Sequence, residues 1–410
     1  MKEIYLDNHS GTKLDERVLE AMMPYLKDYY GNAQSFHSLG NKSKNALDNA
    51  RKQVANLINA QFNEIYFTSC GSESNNLAIK GIADAYKSKG KHIIVSAVEH
   101  ISILNSVRRL EQQGFQITYL PVDKYGMVLS EALRTAIRDD TILISIQHAN
   151  PEIGTIQPIE ELAKIAKEKD VLFHTDAIAT VGTIPVDVNH LGVDLLSLAG
   201  SQFYGPKGAA VLYIKKGVRI TPQIDGGIQE FNKRAGTENM PAIVGLGKAA
   251  EIAKQELDNN YHKMLLLRNR LIKELPQKID YIYLNGHPEK RLPNNVNFSV
   301  EFIEGEAMLL FLDEKGIYAT SGSSCASKNL KMSYILSAIG LDPAVGQGSI
   351  TMTLSKYNTD QDIDYILQEF PPIVKRLRDL SPLYSYFLKT GKRQKAGPGT
   401  DYHNHSIDED

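Results

Sequence analysis

Four short stretches of this chain carry side chains that could do chemistry. Phe173-His-Thr-Asp176 ends an apolar run on a carboxylate. A carboxylate placed there can keep a heteroaromatic ring nitrogen protonated and so deepen an electron sink, or it can simply cap the turn that follows. Glu99-His100 follows the apolar run at 93–98, with Asn150 further along in His148-Ala-Asn-Pro-Glu-Ile-Gly154. An imidazole in that place can stack on a flat ring and exchange protons near neutral pH, although a lone histidine there is commonly structural. Thr68-Ser-Cys-Gly-Ser-Glu-Ser74 is a loop of small residues before a helix. Backbone N–H groups at Gly71 and Ser72 together with the Ser72 hydroxyl suit an anion, because the helix dipole and the unpaired donors face the same way. Ser72 or Ser74 acting as an ordinary N-cap is the plainer reading. Finally, Cys325 lies in Ser321-Gly-Ser-Ser-Cys-Ala-Ser327, a setting unlike a core, and its thiolate could carry sulfur or ligate a metal cluster. The second cysteine, Cys70, sits inside the anion loop and reads as a packing residue, with a thiol whose pKa a helix N-terminus would lower.

Those residues need a frame, and the hydrophobic pattern supplies one. Short apolar runs at 64–68, 92–96, 117–120, 141–145, 171–174, 195–198 and 209–213 alternate with amphipathic stretches at 74–87, 101–113, 130–138 and 159–169. Strand and helix in alternation predict an α/β fold with a mostly parallel seven-stranded sheet, whose ligands gather beyond the carboxyl ends of the strands. After residue 240 the rhythm changes to two longer helical stretches, 240–257 and 261–275, and a strand-like run at 295–299. The expected organisation is an N-terminal arm at 1–14, a large domain at 15–255, a smaller α+β domain at 256–382 and a largely disordered tail at 383–410. No internal repeat is visible.

Composition narrows the function classes. The chain has 410 residues, 42% of them hydrophobic, enough for a large core in two domains. A formal net charge of −2 offers no general attraction to nucleic acid or to an anionic membrane surface, so neither is expected as a partner. The opening residues resemble neither a signal peptide nor a spanning segment, which makes the cytoplasm the expected compartment. Two cysteines cannot build a disulfide framework, and their separation matches no zinc-ligand spacing.

Taken in order, the motifs resemble the cysteine desulfurases, class V aminotransferase proteins of the fold-type I pyridoxal-phosphate superfamily. The matching pieces are Ile4-Tyr-Leu-Asp-Asn-His-Ser-Gly-Thr12, Gly31-Asn32, His37, Thr68–Ser74, residues 76–81, Glu99-His100, Asn150 to Gly154, His174-Thr-Asp176, Tyr204-Gly-Pro-Lys-Gly208, Arg234-Ala-Gly-Thr237, Leu292-Pro-Asn-Asn295, Ser321 to Cys325 and residues 377–383. The resemblance spans residues 1 to about 385. It implies that His100 stacks on the cofactor ring, Asp176 pairs with the ring nitrogen, Asn150 lies near the ring hydroxyl, and Gly71 with Ser72 holds the phosphate. It also implies that Thr237 reaches the phosphate of a neighbouring subunit, hence a homodimer, and that Cys325 takes sulfur from the cysteine adduct as a persulfide.

The departures from the family pattern are equally specific. Where the family has Ser-Gly-His-Lys, this chain has Ala199-Gly-Ser-Gln202. Gln202 therefore stands at the Schiff-base position, and Ser201 can restore one phosphate contact at most. Ala179 replaces a glutamine beside the ring hydroxyl, and Thr351 replaces the arginine that clamps the substrate carboxylate. Threonine cannot form a bidentate charged clamp, and an amide is neither nucleophilic nor basic. Lys207 matches a separate lysine of the family and does not substitute for the missing one. Three readings follow. In the first, a pseudoenzyme serves sulfur transfer or iron–sulfur assembly through Cys325, alongside an iron–sulfur scaffold or sulfur acceptor. In the second, an enzyme binds pyridoxal phosphate without a covalent bond and does altered chemistry through His100, Asp176 and Cys325. In the third, the chain is a regulatory subunit of an active desulfurase. The first accounts for the most departures while using the retained cysteine.

Overall fold

The computed structural model describes residues 2–322 and 332–393. The large sheet has seven strands, β2 (Ile65–Thr68), β3 (His92–Ser96), β4 (Gln116–Leu120), β5 (Thr141–Ser145), β6 (Leu172–Asp176), β7 (Leu195–Ala199) and β8 (Ala210–Ile214), in the order β2-β8-β7-β6-β5-β3-β4. All neighbours run parallel except β8, which is antiparallel to both β2 and β7. Most of these strands are buried along their whole length, which is why they read as continuous apolar runs and not as alternating ones.

Helices close both faces of the sheet. On one face, α3 (Gly71–Tyr86) and α4 (Ile101–Glu111) press Leu77, Ile79, Ile82, Ile103 and Val107 onto Ile93, Val95 and Leu212. The other face is covered chiefly by α1 (Glu16–Lys27), α2 (Ser38–Leu57), α5 (Ser130–Ala136), α6 (Ile159–Glu168), the single turn α7 (Val188–Leu191) and, after the short turn α8 (Gln229–Asn232), the first half of α9 (Met240–Lys278). The two helices expected at 240–257 and 261–275 are one 39-residue element, α9. The polar trio Asp258-Asn-Asn260 interrupts the apolar pattern but lies toward solvent, where such residues lower helix propensity by only a few tenths of a kcal/mol and do not break the backbone.

A second core forms around a three-stranded antiparallel sheet of β9 (Ile282–Leu284), β10 (Asn295–Val300) and β12 (Ser349–Thr353), covered by α10 (Gly305–Asp313), α13 (Asp360–Asp379) and the second half of α9. The N-terminal arm belongs here as well. Strand β1 (Ile4–Tyr5) pairs in parallel with β11 (Ile317–Tyr318), and Ile4 and Leu6 are buried in this core. Short turns α11 (Tyr334–Ala338) and α12 (Pro343–Gly346) complete this part. The stretch expected as a tail from 383 begins as a helix, α14 (Pro382–Thr390), capped by Ser381 and anchored by a cluster of Tyr281, Phe302, Tyr384 and Phe387 rings. Aromatic residues at 384 and 387, three apart, supply the one-sided anchor that the polar composition further along conceals.

Candidate functional site

The candidate residues collect at the carboxyl ends of β6 and β7 and at the start of α3 and α4, where a parallel sheet opens toward ligands. Asp176 is the last residue of β6 and is buried. Its carboxylate accepts from Asn75 Nδ2 at 2.7 Å and from the Ile178 N–H at 3.0 Å. Capping the turn and facing a ligand are thus compatible roles for one carboxylate. Burial pushes the Asp176 carboxyl above the usual carboxylate range, while the His100 imidazole and the two donors pull it back. His100 caps α4: its Nδ1 accepts from the Ser102 N–H at 3.1 Å and lies 2.7 Å from Ser102 Oγ, leaving the ring exposed. Ser102 Oγ also accepts from Asn75 Nδ2 at 3.0 Å, so Asn75 ties the histidine's cap to the aspartate.

Asn75 was missed in the sequence reading. The signal was available, because a residue four after Gly71 lies on the same side of α3 as the loop itself. Gly71 is buried, and a methyl placed there would meet Ile178 Cδ1, the movable end of a side chain on the β6 turn, so glycine leaves that side chain in place where α3 starts. Ser72 is exposed and neither it nor Ser74 caps the helix through its side chain; the N-cap is Cys70. Ser74 Oγ instead bonds Thr68 Oγ1 at 2.7 Å. Cys70 is exposed, which corrects its reading as a packing residue: in extended backbone before Gly71 it turns outward from the core.

Asn150 is more committed than expected. Its Oδ1 accepts from the N–H groups of Glu152 and Ile153, each at 2.9 Å, and its Nδ2 donates to Val98 O at 3.2 Å. One amide hydrogen therefore remains for a ligand. The loop bearing Thr237 is exposed and is positioned by Arg234, whose Nε donates to Glu73 at 2.8 Å. Behind it, Glu230, Phe231 and Asn232 all have positive φ. That strained turn is held by the buried pair of Glu230 and Arg51, 2.7 Å apart, and by the Phe67 N–H on Glu230.

Gln202 and Ala179 line a small cavity with Asn8, His9, Asn294 and Thr353. The Gln202 amide donates from Nε2 to the His9 carbonyl at 2.9 Å, and Ser201 supplies its own carbonyl to the Thr12 N–H at 2.8 Å. Both residues thus hold the N-terminal arm. Among the described residues no lysine lines the cavity. Lys207 is exposed, with its stem beside Gly11, and Lys356 is paired with Asp15 at 2.6 Å and Glu256 at 3.2 Å. Thr351 is buried in β12, where its Oγ1 accepts from Asn297 Nδ2 at 2.7 Å. Cys325 lies outside the described residues.

A site of this kind can receive a flat ligand with a protonated ring nitrogen over Asp176 and an anionic end near the start of α3. The protein-family model described as aminotransferase class-V matches residues 4–366. The chain is 53% identical over 382 residues to a protein named cysteine desulfurase IscS of Methanosarcina thermophila, covering 93% of this chain and 94% of that one. A protein of the same name from Dictyoglomus turgidum is 51% identical over 392 residues, covering 96% and 99%. The chain belongs to the cysteine desulfurases of the class-V aminotransferase family. A solved NifS-like protein superposes with a TM-score of 0.87 at 37% identity, covering 92% of this chain and all of that one. The apo cysteine desulfurase of Thermococcus onnurineus gives a TM-score of 0.83 at 26% identity. Membership of this family agrees with the α/β fold and its mainly parallel central sheet.

Proposed function

We propose that this member of the cysteine desulfurase family is a pseudoenzyme that handles sulfur through Cys325, in sulfur transfer or iron–sulfur assembly, and does not itself liberate sulfur from free cysteine. The observation that carries this reading is the Gln202 amide, committed to the His9 carbonyl at the place where the family keeps an amine. Thr351 supports it, since its hydroxyl is used inside the small sheet and no guanidinium stands there for a substrate carboxylate. Sulfur uptake by Cys325 needs neither group. Its thiolate would attack the outer sulfur of a donor persulfide; a new S–S bond forms on Cys325, the donor's S–S bond breaks, and the donor departs as a thiolate with no net redox change. An iron–sulfur cluster ligated by Cys325, with a scaffold protein as partner, is the other form this role can take.

Asp176 favours a second reading, in which pyridoxal phosphate binds without a covalent bond. A buried carboxyl that burial pushes above the usual carboxylate range, with the His100 imidazole partly offsetting it, fits a protonated ring nitrogen. The close approach at Gly71 and the free Ser72 hydroxyl fit a phosphate. When bound, the ring would supply an electron sink; His100, Asp176 and Asn150 would orient it, and Thr237 of a second copy would complete the phosphate end. An exposed Thr237 is consistent with such a homodimer.

The decisive experiment adds pyridoxal phosphate to the purified protein, removes the excess, reduces with borohydride and measures sulfide release from cysteine. No lysine adduct and no sulfide are expected, while persulfide passes from an active desulfurase to wild-type protein and not to Cys325→Ala. Sulfide release at ordinary enzymatic rates overturns the reading. Uptake that survives Cys325→Ala leaves the fold with a binding or regulatory role as subunit of an active desulfurase.

A further inference from the structure

A short chain of hydrogen bonds links Asp176 to His100, and its directions can be read from either end. Asp176 accepts on both oxygens, Oδ1 from the Ile178 N–H at 3.0 Å and Oδ2 from Asn75 Nδ2 at 2.7 Å. A carboxylate oxygen needs a donor, so the Asn75 amide turns its nitrogen and not its oxygen toward Asp176. The second amide hydrogen is then left for Ser102 Oγ, 3.0 Å away. At the other end, the Ser102 N–H points at His100 Nδ1 from 3.1 Å, which requires a bare lone pair on that nitrogen. The Ser102 hydroxyl, 2.7 Å from the same atom, therefore donates to it and offers its own lone pairs to Asn75. With Nδ1 accepting, the proton of the neutral ring sits on Nε2.

Asn75 can hold this arrangement because it is itself held. It is buried on α3, whose next turns pack through Leu77, Ile79 and Ile82 into the same core as Ile103 and Val107 of α4. The end of β6, α3 and the start of α4 thus meet at one amide. Burying a primary amide is costly unless its hydrogens find partners, and here a carboxylate and a hydroxyl take one each. Other side chains fail at this position for stated reasons: aspartate would set a like charge beside Asp176, and serine has one hydrogen where two are used. The Asn75 bond also pulls the Asp176 carboxyl down against the upward push of burial.

We propose that Asn75 is a positioning residue for the ring site: by donating to Asp176 and, through the Ser102 hydroxyl, acting on His100, it fixes the carboxylate relative to the imidazole and strengthens the hold on His100 Nδ1 that keeps the ring proton on Nε2. This rests on the reading in which pyridoxal phosphate binds over Asp176 without a covalent bond. Each bond in such a chain polarises the next, so the carboxylate and the imidazole respond to a ligand as one unit.

The test is nitrogen NMR of the full chain with ring-labelled histidine, free of ligand and at a pH well above the ordinary histidine value of about 6.5, together with titration of pyridoxal phosphate by its absorbance. In wild type the His100 proton is expected on Nε2, with Nδ1 displaced upfield as an unprotonated ring nitrogen is when it accepts hydrogen bonds. Asn75→Ala is expected to move Nδ1 toward the free position and to weaken cofactor binding roughly tenfold, the weight of a hydrogen bond to a charged group. In a Ser102→Ala background the same substitution should no longer move the His100 resonance, because the bridge is already gone. The His92 and His174 resonances should stay in place, which a general loosening of the fold would not allow. An Nδ1 resonance unmoved in folded Asn75→Ala overturns the proposal, as does an equal shift in the Ser102→Ala background or an unchanged dissociation constant. If Asn75→Ala does not fold, Ser102→Ala decides at the Asn75 side-chain amide: one hydrogen should move upfield while the one bound to Asp176 stays, and no movement of either overturns the proposal. The two readings fail separately, since a wild-type protein that takes up no pyridoxal phosphate removes the noncovalent reading while the ligand-free His100 resonance still decides the part played by Asn75.

Discussion

At the scale of single residues, the site is defined by what its side chains are already doing. Gln202 is a tether for the arm at His9, and Thr351 is a rung in a buried sheet. Gln202→Lys is therefore expected to leave sulfide release from cysteine at background, because a restored amine still meets no guanidinium at 351; substantial release in the single variant would show that Thr351 and Ala179 matter little. Asp176→Ala is expected to weaken binding of pyridoxal phosphate by roughly tenfold or more, as loss of a charged hydrogen bond costs about 1.5–3 kcal/mol. An unchanged dissociation constant, measured by titration of the cofactor's absorbance, would remove the basis of the noncovalent reading. The placement of Asp176 at the end of β6, and of Gly71 and His100 at the starts of α3 and α4, was legible in the sequence because apolar runs and the helical stretches after them mark those junctions. The commitments of Gln202, Asn75 and Glu152 were not, since each partner lies far off in the chain, 193 residues away for His9 and 101 for Asp176, and 181 for Ser333.

Among the elements, the sheet was more legible than its cover. Strands β3 and β5 fall on the expected apolar runs because strands buried on both faces leave an unbroken signal. Strand β6 runs two residues further than expected, so Asp176 sits inside the sheet and gains its rigidity from β7 pairing at Ser197. Helix α2 escaped notice because its packing face is made of Ser43, Leu47, Ala50 and Val54, with small residues where large apolar ones are usually sought. Those small residues allow close packing on α9. A methyl at Gly247 would approach Ala50 Cα to 2.6 Å and Ala50 Cβ to 2.7 Å, so backbone and not merely side chain must yield. Gly247→Val is expected to lower unfolding free energy by about 1–3 kcal/mol in denaturant titrations, although glycine is itself a poor helix former. A variant as stable as wild type would show that α2 and α9 can slide apart freely.

For the molecule as a whole, buried titratable groups set the response to pH. Burial depresses His174 to about 3 and His148 to about 4, so both are neutral in the fold; the stability this represents is present above their ordinary value of about 6.5 and is lost as pH falls through the depressed values. Glu99 and Glu152 work in the opposite sense. Burial raises them to about 8 and about 7, so the stability each represents is full below the ordinary glutamate value of roughly 4.3 and is lost as pH rises through the raised values. Between pH 4.3 and 6.5 the two pairs oppose each other, and above 6.5 only the glutamates act. Glu99→Gln is expected to flatten the fall between pH 6.5 and 8 by about 2 kcal/mol, with Gln Oε1 still able to accept from Ser96 and the Gln147 N–H. Equal slopes for variant and wild type, from urea unfolding at several pH values, would remove Glu99 from this account.

The N-terminal arm has one more implication. Ile4 and Tyr5 pair with Ile317 and Tyr318, and the Thr353 N–H donates to the Leu6 carbonyl. During synthesis β1 therefore leaves the ribosome long before it can find its neighbour, since some three hundred further residues must emerge before that edge exists. Until then, an apolar stretch with open backbone groups stays available to other chains, and the arm is the place where a chaperone would have most to shield.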